Sequence, residues 1–344
     1  MSLLNKLLGF ELEVSHANRV ATDLGEKVEQ YYAQRPALKK GAEEGEYLAI
    51  GFDGKGVPIV KYDREEQKDG QGGRLMKGQK RGVKKEATVA LSFSFNPVKR
   101  TAEDVLKGLF KERSSSRKKD KRISINVHKR AFMCAQKETI EYGVKHALKR
   151  NPDKDKRIIA LVDCGAGLEQ GILEKITKQG LQDNLDAIIA DIVHVSEYIW
   201  DAANVILGEK YKGRTRWVRA MMKDLLQTNT EQVIKSLIDN RDKTNLSPSQ
   251  KKQLNRVIRY LNNHKHKMDY KSYLEKGYPI STGLIEGACG HLVKNRMEGN
   301  GKRWTIKGAQ NMLDIRAVKK NDDWDDFMAF VQNSNKPNLV KMRA

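Results

Sequence analysis

The chain has 344 residues, which is long enough for a sizeable core and for one large or two ordinary domains. Its 65 lysines and arginines outnumber its 44 aspartates and glutamates, and the formal net charge is +21 at pH 7. Such an excess opposes compactness by self-repulsion unless a polyanion is bound, and nucleic acid is the commonest polyanion. The alternative is a well-solvated, lysine-rich surface.

The cysteines and the apolar segments exclude several other classes of protein. Cys134, Cys164 and Cys289 lie far apart and show neither CxxC nor paired Cys/His spacing, which argues against a disulfide framework and a structural zinc site. No stretch approaches about 18 uninterrupted apolar residues, so the sequence predicts no membrane partner. The amino terminus lacks a signal-peptide cleavage pattern, and we expect a cytoplasmic, nucleoid-associated protein.

The first third of the chain changes from helical to strand periodicity. Residues 1–45 are predicted to form an N-terminal helical segment. EYLAIGFDGKGVPIVKYD, residues 46–63, predicts a strand, a tight glycine turn at 53–56 and a returning strand. ATVALSFSFNP, residues 87–97, alternates and predicts a third strand. Two basic stretches, one rich in glycine and one in serine, are expected to be mobile loops, at 65–85 and 113–122.

The middle of the chain alternates helices with apolar strands. A helix is predicted from about residue 131 to residue 150, and a buried strand follows at 157–162 and ends at Asp163. A turn and a helix come next. A short apolar strand at 185–190 then ends at Asp191 and leads into a long helix.

The last third of the chain is mostly helical. Residues 209–271 are helical and basic, and Glu286 lies near the start of a last helical block that runs through WTIKGAQNMLDIRAVKK. Trp304 is expected to pack at the start of the core-facing stripe of that block. The order of elements predicts an α/β fold with one mixed sheet.

Two aspartates follow apolar strands at positions that suit a ligand site. Asp53 falls where a strand meets glycines, and Asp163 falls at the carboxyl end of a second strand, where open α/β sheets bind ligands. If these strands are neighbours, the two carboxylates repel each other, and a divalent cation relieves the repulsion. Oxygen ligands without a Cys or His cluster favour Mg²⁺ or Mn²⁺ over zinc. With Glu286, three carboxylates could hold two metal ions about 4 Å apart, as in phosphodiester chemistry.

Each of these acids also has a purely structural interpretation. Asp53 with Gly54 is an ordinary hairpin-turn signal, and Asp163 could cap the following helix. Glu286 could be an acid in the first turn of a helix. His194, alone on the apolar face of a long helix, is more often a hydrogen-bonded core residue than a catalytic group. Only the joint placement of the three acids favours a site.

Four segments resemble one family of enzymes. They are GFDGKGVPIVK around Asp53, VDCGAGLEQGI around Asp163, the D-x-x-H spacing of Asp191 and His194, and above all PISTGLIEGACGHLVKNRMEGNGKRWTIKGAQNMLDIRAVKKNDDWDDF. From about residue 3 to residue 327, the chain resembles the transposases of the ISKra-type insertion sequences. These are DDE enzymes that are distantly similar to Mutator-like transposases.

The resemblance implies an RNase H-like mixed sheet flanked by helices, with an α-helical insertion before the final catalytic helix. The core would comprise residues 46–208 and 276–330, the insertion residues 209–275, and a C-terminal tail residues 331–344.

The resemblance also implies roles for individual residues. Asp53, Asp163 and Glu286 match the catalytic acids of the family, which bind Mg²⁺ or Mn²⁺, and the two aspartates belong on the first core strand and after the fourth. Asp191 and His194 match the C/D(2)H motif, a supporting feature near the site.

Basic residues follow Glu286 closely in the sequence. We expect four of them to bind the phosphates of double-stranded DNA beside the metal ions, namely Lys294, Arg296, Lys302 and Arg303. The resemblance further implies a homodimer that holds the transposon ends and the target DNA together.

The sequence therefore predicts a magnesium-dependent transposase that cleaves DNA at the ends of an insertion sequence and transfers the strands. Because only 52 residues precede Asp53, we expect an N-terminally truncated or split product. Two alternatives stay open. One is a transposase-derived DNA-binding protein without catalysis, and the other is an RNase H-like nuclease or resolvase.

Overall fold

Five strands form one mixed sheet in the computed structural model, which describes residues 13–39, 41–60, 84–111, 124–299 and 301–334. They are β1 (Tyr47–Pro58), β2 (Lys84–Phe95), β3 (Ile125–Phe132), β4 (Ile158–Val162) and β5 (Leu185–Ala190). The spatial order is β3-β2-β1-β4-β5. β2 is antiparallel to both β1 and β3, whereas β4 is parallel to β1 and β5 is parallel to β4. The predicted α/β fold with one mixed sheet is confirmed.

Helices cover both faces of this sheet. In chain order they are α1 (Val14–Gln34), α2 (Ala102–Leu109), α3 (Gln136–Arg150), α4 (Leu168–Lys178), α5 (Ile192–Leu207), α6 (Arg214–Gln227), α7 (Thr230–Lys243), α8 (Pro248–His264), α9 (Tyr270–Lys276), α10 (Gly283–Ala288), α11 (Asn295–Met297), α12 (Ile306–Lys320) and α13 (Trp324–Ser334). Short 3₁₀ turns lie at Gln182–Asn184 and Lys265–Lys267, and a π-helical turn lies at Cys289–Lys294. No helix within the described ranges combines the length and apolarity that crossing a bilayer requires.

The side chains of β1 alternate between two cores. Leu48, Ile50 and Phe52 pack with α3 and α4 on one face of the sheet. Ala49 and Val57 belong to the larger core on the other face, which also includes apolar residues of α5 to α10 and α12. Because successive strand residues point to opposite faces, Asp53 shares the face of Ala49 and Val57.

The glycine turn predicted at 53–56 is wrong. β1 continues through these residues to Pro58, and Asp53 pairs with Val89 of β2. Neither glycine of the segment takes a positive φ. The physical reason is a close approach of side chains: a Cβ at Gly54 would lie 2.5 Å from the carboxyl carbon of Glu86. Glycine here leaves room for a cross-strand acid, and the strand needs no turn.

Several other predicted elements are confirmed. The strands expected at 157–162 and 185–190 are β4 and β5, the strand expected at 87–97 is β2, and the basic helical region from 209 contains α6, α7 and α8. The described part of the N-terminal helical segment contains α1. The loops predicted at 65–85 and 113–122 lie outside the described residues, apart from residues 84 and 85, which begin β2.

Two elements, α2 and β3, have no counterpart in the sequence prediction. The helix expected from residue 131 begins only at Gln136, since β3 occupies the sequence before it. β3 carries polar side chains that are buried because they bind distant residues. The His128 ring nitrogen lies 2.8 Å from the Tyr142 hydroxyl, and Arg130 donates to Asp314 at 2.7 Å. Periodicity within one strand cannot reveal such partners.

The last helical block is interrupted, contrary to prediction. Residues 298, 299 and 301–305 lie outside any helix, and α12 begins only at Ile306. Trp304 lies in this break, where its backbone N–H donates to Pro58 and its carbonyl accepts from Val60, at 3.0 and 2.9 Å. These two hydrogen bonds attach Trp304, between α11 and α12, to the end of β1.

A stacked pair of histidines, one on β3 and one on α3, is buried between the sheet and α3. The rings of His128 and His146 are 4.1 Å apart and nearly parallel, and His146 Nδ1 lies 2.9 Å from the Ser92 hydroxyl. Burial lowers the pKa of His146 to about 3, with nearby arginines adding to the effect, and it lowers the pKa of His128 well below 6.5. Both rings are therefore neutral in the folded protein at neutral pH.

Lowering the pH from 7 to 5 should reduce the free energy of unfolding, and less so in a His146→Gln variant. At His128 and His146 the unfolded chain binds protons as the pH falls through about 6.5, whereas the folded chain does not. Each of these two histidines therefore contributes a slope of up to about 1.4 kcal/mol per pH unit. Urea unfolding at a series of pH values measures the slope. Identical slopes in the two proteins would contradict the expectation.

Candidate active site

Asp53 and Asp163 are neighbours near the carboxyl end of β4, in the middle of the sheet. The parallel register aligns Gly51 with Leu161, and two further residues along each strand bring Asp53 beside Asp163. Adjacent strands are about 4.8 Å apart, so two aspartates in register on one face are close. Burial raises the pKa of Asp53, the charge of Asp163 adds to the rise, and a hydrogen bond from the Cys289 thiol opposes it. The aspartates predicted for the site are brought together.

Asp163 does not cap the next helix. Its Oδ1 accepts a hydrogen bond from the N–H of Gly165 at 2.9 Å, within the loop that follows β4. The N-terminal cap of α4 is Gly167, whose φ of 76° is a conformation that glycine adopts readily. The structural interpretation of Asp163 as a helix cap is therefore wrong. Its carboxylate is bonded to the backbone at the start of the loop that follows β4.

Glu286 reaches the same face from α10, and a glycine allows that approach. Ile285 packs directly over Gly51 of β1, where any Cβ would overlap the Ile285 Cδ1 atom. The exposed Glu286 is also in the first turn of α10, as the structural interpretation expected. Partial desolvation raises its pKa, and the charges of Asp191 and Asp53 add to the rise. Glu286 is thus electrostatically coupled to the aspartate of β1.

Asp191 connects the elements that carry the other acids. It is buried, its Oδ1 caps α5 by accepting from Val193 N–H at 2.9 Å, and its Oδ2 accepts from the Thr282 hydroxyl. Its backbone N–H donates to the carbonyl of Val162, the residue before Asp163, at 2.8 Å. Asp191 therefore links the end of β4 to α5 and to the start of α10.

Thr282 completes this link on the side of Glu286. Its carbonyl accepts from the N–H groups of Ile285 and Glu286, at 2.7 and 2.9 Å, which closes the first turn of α10. Its side chain is buried and donates to Asp191. The orientation of α10 therefore depends on a buried hydroxyl, and sequence patterns do not identify Thr282 as a site residue.

A Thr282→Val variant should lose about 1–2 kcal/mol of unfolding free energy, because valine keeps the shape of threonine but leaves a buried Asp191 oxygen without its donor. Thr282→Ser keeps the hydroxyl and should remain close to the natural protein. Urea unfolding of the two variants measures the difference. Equal stability of both variants would show that the hydroxyl does not hold the segment.

His194 lies beside the acidic residues described above. Its Nδ1 is 3.2 Å from Glu197 Oε2, and its ring packs edge-on against Tyr198 with centroids 5.8 Å apart. The side chain is 38% exposed, so His194 is not a core histidine. The charge of Glu197 contributes to the raised pKa of Glu286, which places the His194–Glu197 pair close to the acids.

The four predicted DNA-binding residues are all exposed. The Arg296 guanidinium lies over the Trp304 ring at 5.7 Å, and Lys302 Nζ donates to the Arg296 carbonyl at 3.3 Å. Trp304 itself is partly buried, and its Nε1 donates to the Met297 carbonyl at 3.1 Å. Packing of Trp304 therefore fixes the base of a surface that presents these cations.

Sequence reasoning missed two polar residues beside the aspartates. A cavity of about 300 Å³ is bordered by Asp53 and Asp163 and also by Glu86 and Gln136. Glu86 belongs to β2 and pairs with Gly56 across the sheet. The sequence of β2 alone does not indicate that Glu86 lies at the site. Its position there follows only from the pairing of β2 with β1.

The chemistry of these side chains fits a divalent cation. Asp53 and Glu286 are carboxylates whose pKa values are raised by burial and by neighbouring acids, and a bound cation would offset that repulsion. In the described part of the chain, no group of three or more His, Cys, Asp or Glu side chains forms a ready-made metal site.

Comparisons with known proteins give no family for the chain. No protein-family model matches it, and no curated protein is detectably similar to it.

Proposed function

We propose that this protein is a DDE transposase that cleaves DNA at the ends of an insertion sequence and transfers the strands. The observation that carries the proposal is the convergence of Asp53, Asp163 and Glu286 from three separate elements on one face of the sheet. Burial raises the pKa values of Asp53 and Glu286, and the charge of Asp163 adds to the first rise as the charges of Asp191 and Asp53 add to the second. The protein would act in the cytoplasm, on DNA of the nucleoid.

The sheet supports an RNase H-like core for this enzyme. Such a core would have its first aspartate on the first core strand and its second after the fourth strand. Asp53 lies within β1, and Asp163 follows β4, which pairs directly with β1. The helices α6, α7 and α8 stand between β5 and α10, where the α-helical insertion is expected.

Asp53, Asp163 and Glu286 would hold the Mg²⁺ or Mn²⁺ ions. Bound there, the ions would activate the attacking oxygen and stabilise the leaving oxygen of a phosphodiester. Asp191 and Thr282 orient α10, and so set where the Glu286 carboxylate lies. No covalent intermediate with the protein is needed, so the chain requires no serine or tyrosine nucleophile.

The exposed cations beyond α10 would bind the DNA backbone. Lys294 and Arg296 lie on or just after the π-helical turn, and Lys302 and Arg303 lie in the break before α12. Contacts with phosphates are independent of base sequence and position the duplex. Two copies of the protein would hold two transposon ends in the same complex.

Nicking of a supercoiled plasmid that carries the element's ends tests the proposal. We expect nicking in Mg²⁺ or Mn²⁺, none in EDTA, and joining of the freed 3′ ends to a second DNA. Nicking without any joining would identify a nuclease or resolvase instead. Salt-sensitive binding without nicking would identify a DNA-binding protein that does not catalyse.

A further inference from the structure

A polar groove lies between α5 and α8, beyond the residues assigned to the chemistry. It encloses a cavity of about 950 Å³. Lys252, Arg256, Arg259 and Asn263 line it from α8. Their spacing of four, three and four residues places them along one face of that helix. We call this feature the α5–α8 groove.

The groove is lined by three cations, Lys252, Arg256 and Arg259, and by two acids, Asp201 and Glu209. Its charged lining is therefore net positive, which suits a ligand that carries both anionic and neutral polar groups. Arg256 is paired with Asp201 of α5 at 2.7 Å. Lys252 and Arg259 are exposed, and within the described residues neither forms an ion pair. Amide side chains such as Gln253 stand between these cations. Cations bind phosphate, whereas amides donate and accept hydrogen bonds as the edges of bases require.

Aromatic rings form one end of the groove. The rings of Tyr198 and Tyr260 are 3.6 Å apart and almost parallel, and the Arg256 guanidinium lies 6.0 Å from the Tyr198 centroid. His264 packs edge-on against Tyr260 at 4.9 Å. The two tyrosine faces that meet are covered by each other, so a base would stack on an outer face of the pair. Flat rings beside cations are what proteins use to bind the faces of unpaired bases.

Two polar side-chain atoms in this lining lack good partners within the described chain. His264 Nδ1 and the Tyr260 hydroxyl are both buried without a well-formed hydrogen bond. The Cys164 thiol is a neighbour of that hydroxyl, but a thiol is a weak partner. Because an unpaired buried polar atom is costly, we expect an internal water molecule to bind each of the two atoms beneath this end of the groove.

The groove is adjacent to the candidate active site. Tyr260 neighbours Cys164, which follows Asp163 directly in the chain. His194, which borders the acids, packs against Tyr198. A strand that leaves the acids on this side would therefore enter the groove. A duplex hides its base faces by stacking, whereas an unpaired strand exposes them to tyrosines and amides.

We propose that the α5–α8 groove binds an unpaired strand of nucleic acid. Lys252 and Arg259 contact its phosphates, Gln253 and Asn263 contact base edges, and the tyrosine end receives a base. The identity of the strand, as one leaving the cleavage site, rests on the proposed function. Binding by the groove itself requires neither metal nor cleavage.

Fluorescence anisotropy in EDTA tests the groove with a labelled oligothymidylate and with a duplex of equal length. A Lys252→Ala, Arg259→Ala double variant should lose about tenfold or more in affinity for the single strand and much less for the duplex. Lys235→Ala, on the exposed surface of α7, is the matched control and should leave single-strand affinity nearly unchanged. Oligouridylate in a parallel titration distinguishes RNA from DNA as the preferred strand.

A second probe reports on the bases. An oligonucleotide that contains 2-aminopurine should lose fluorescence on binding, because the base stacks on a ring, and Tyr198→Leu should restore the fluorescence. Equal losses for duplex and single strand in the double variant, or no loss at all, would overturn the proposal. Because the assay excludes metal, a protein that fails to nick plasmid but passes this test retains the groove and loses only the proposed catalysis.

Discussion

Glu286→Gln and Asp163→Asn should each reduce metal-dependent nicking by about a thousandfold or more, while binding to duplex DNA in EDTA changes little. The amides keep the size of the acids but supply one neutral oxygen where a charged ligand is needed. Loss of an interaction made only during reaction lowers the rate without lowering affinity for the substrate. Rates from plasmid nicking, with binding measured in parallel, separate the two quantities.

Glu286→Gln carries a second expectation, for stability. The folded-state pKa of Glu286 is raised, so at neutral pH its ionised form destabilises the fold, and the penalty disappears as the pH falls below the unfolded-state pKa. Glu286→Gln should therefore unfold at a higher temperature than the natural protein at pH 7, and the gain should shrink towards pH 4.

Glu275→Gln is the matched control for these variants, since Glu275 is exposed on α9 and does not line the site. It should change neither nicking nor stability. Full nicking by Glu286→Gln would remove Glu286 from the catalytic set. A fall in its melting temperature at pH 7 would show that the acids do not repel one another.

Gly51→Val should destabilise the protein by about 3 kcal/mol and should also abolish nicking. A valine side chain at this position would occupy the space of Ile285, so α10 would have to move away from β1. Glu286 moves with that helix and would lose its position beside Asp53. Urea unfolding gives the stability, and a shift of the melting temperature on adding Mn²⁺ gives ion binding without relying on activity.

Two further variants make this expectation specific. Ile285→Ala combined with Gly51→Val should recover part of the stability, because the methyl groups of valine then enter the vacated space. Gly287→Ala, on α10 itself, meets no atom within 4 Å and should be neutral or stabilising. If Gly51→Val retained both its stability and its response to Mn²⁺, the close approach of α10 to β1 would not hold the site.

The strands that were predicted correctly are those whose own residues form a recognisable apolar pattern. β4 and β5 are short apolar runs with an aspartate directly after each, and their limits follow from the sequence within a residue. β3 could not be found in this way, because His128 and Arg130 are buried through partners on α3 and α12. The turn expected at Asp53 failed because a glycine beside an aspartate is ambiguous until the cross-strand neighbour is known.

The residues of the candidate site likewise divide into those that the sequence reveals and those that it does not. Asp53 and Asp163 could be proposed because each stands at a recognisable change of pattern along the chain. Thr282 and Glu86 could not, since a hydroxyl and an acid of these kinds occur on any protein surface. Their importance depends on Asp191 in one case and on Gly54 in the other. Both contacts join segments far apart in the sequence.

The link from Asp191 to Thr282 has a consequence for synthesis of the chain on the ribosome. β1, β4 and β5 are complete long before residue 282 emerges, because α6 to α9 are made in between. Until then Asp191 lacks the donor that it has in the finished fold, and Gly51 is not yet covered by Ile285. An arrested chain would expose that apolar face of the sheet to chaperones and proteases. Glu286 would thus join Asp53 and Asp163 only after the last of these elements is made. Under the proposed function, an incomplete chain would lack one of its three acids and would not cut DNA.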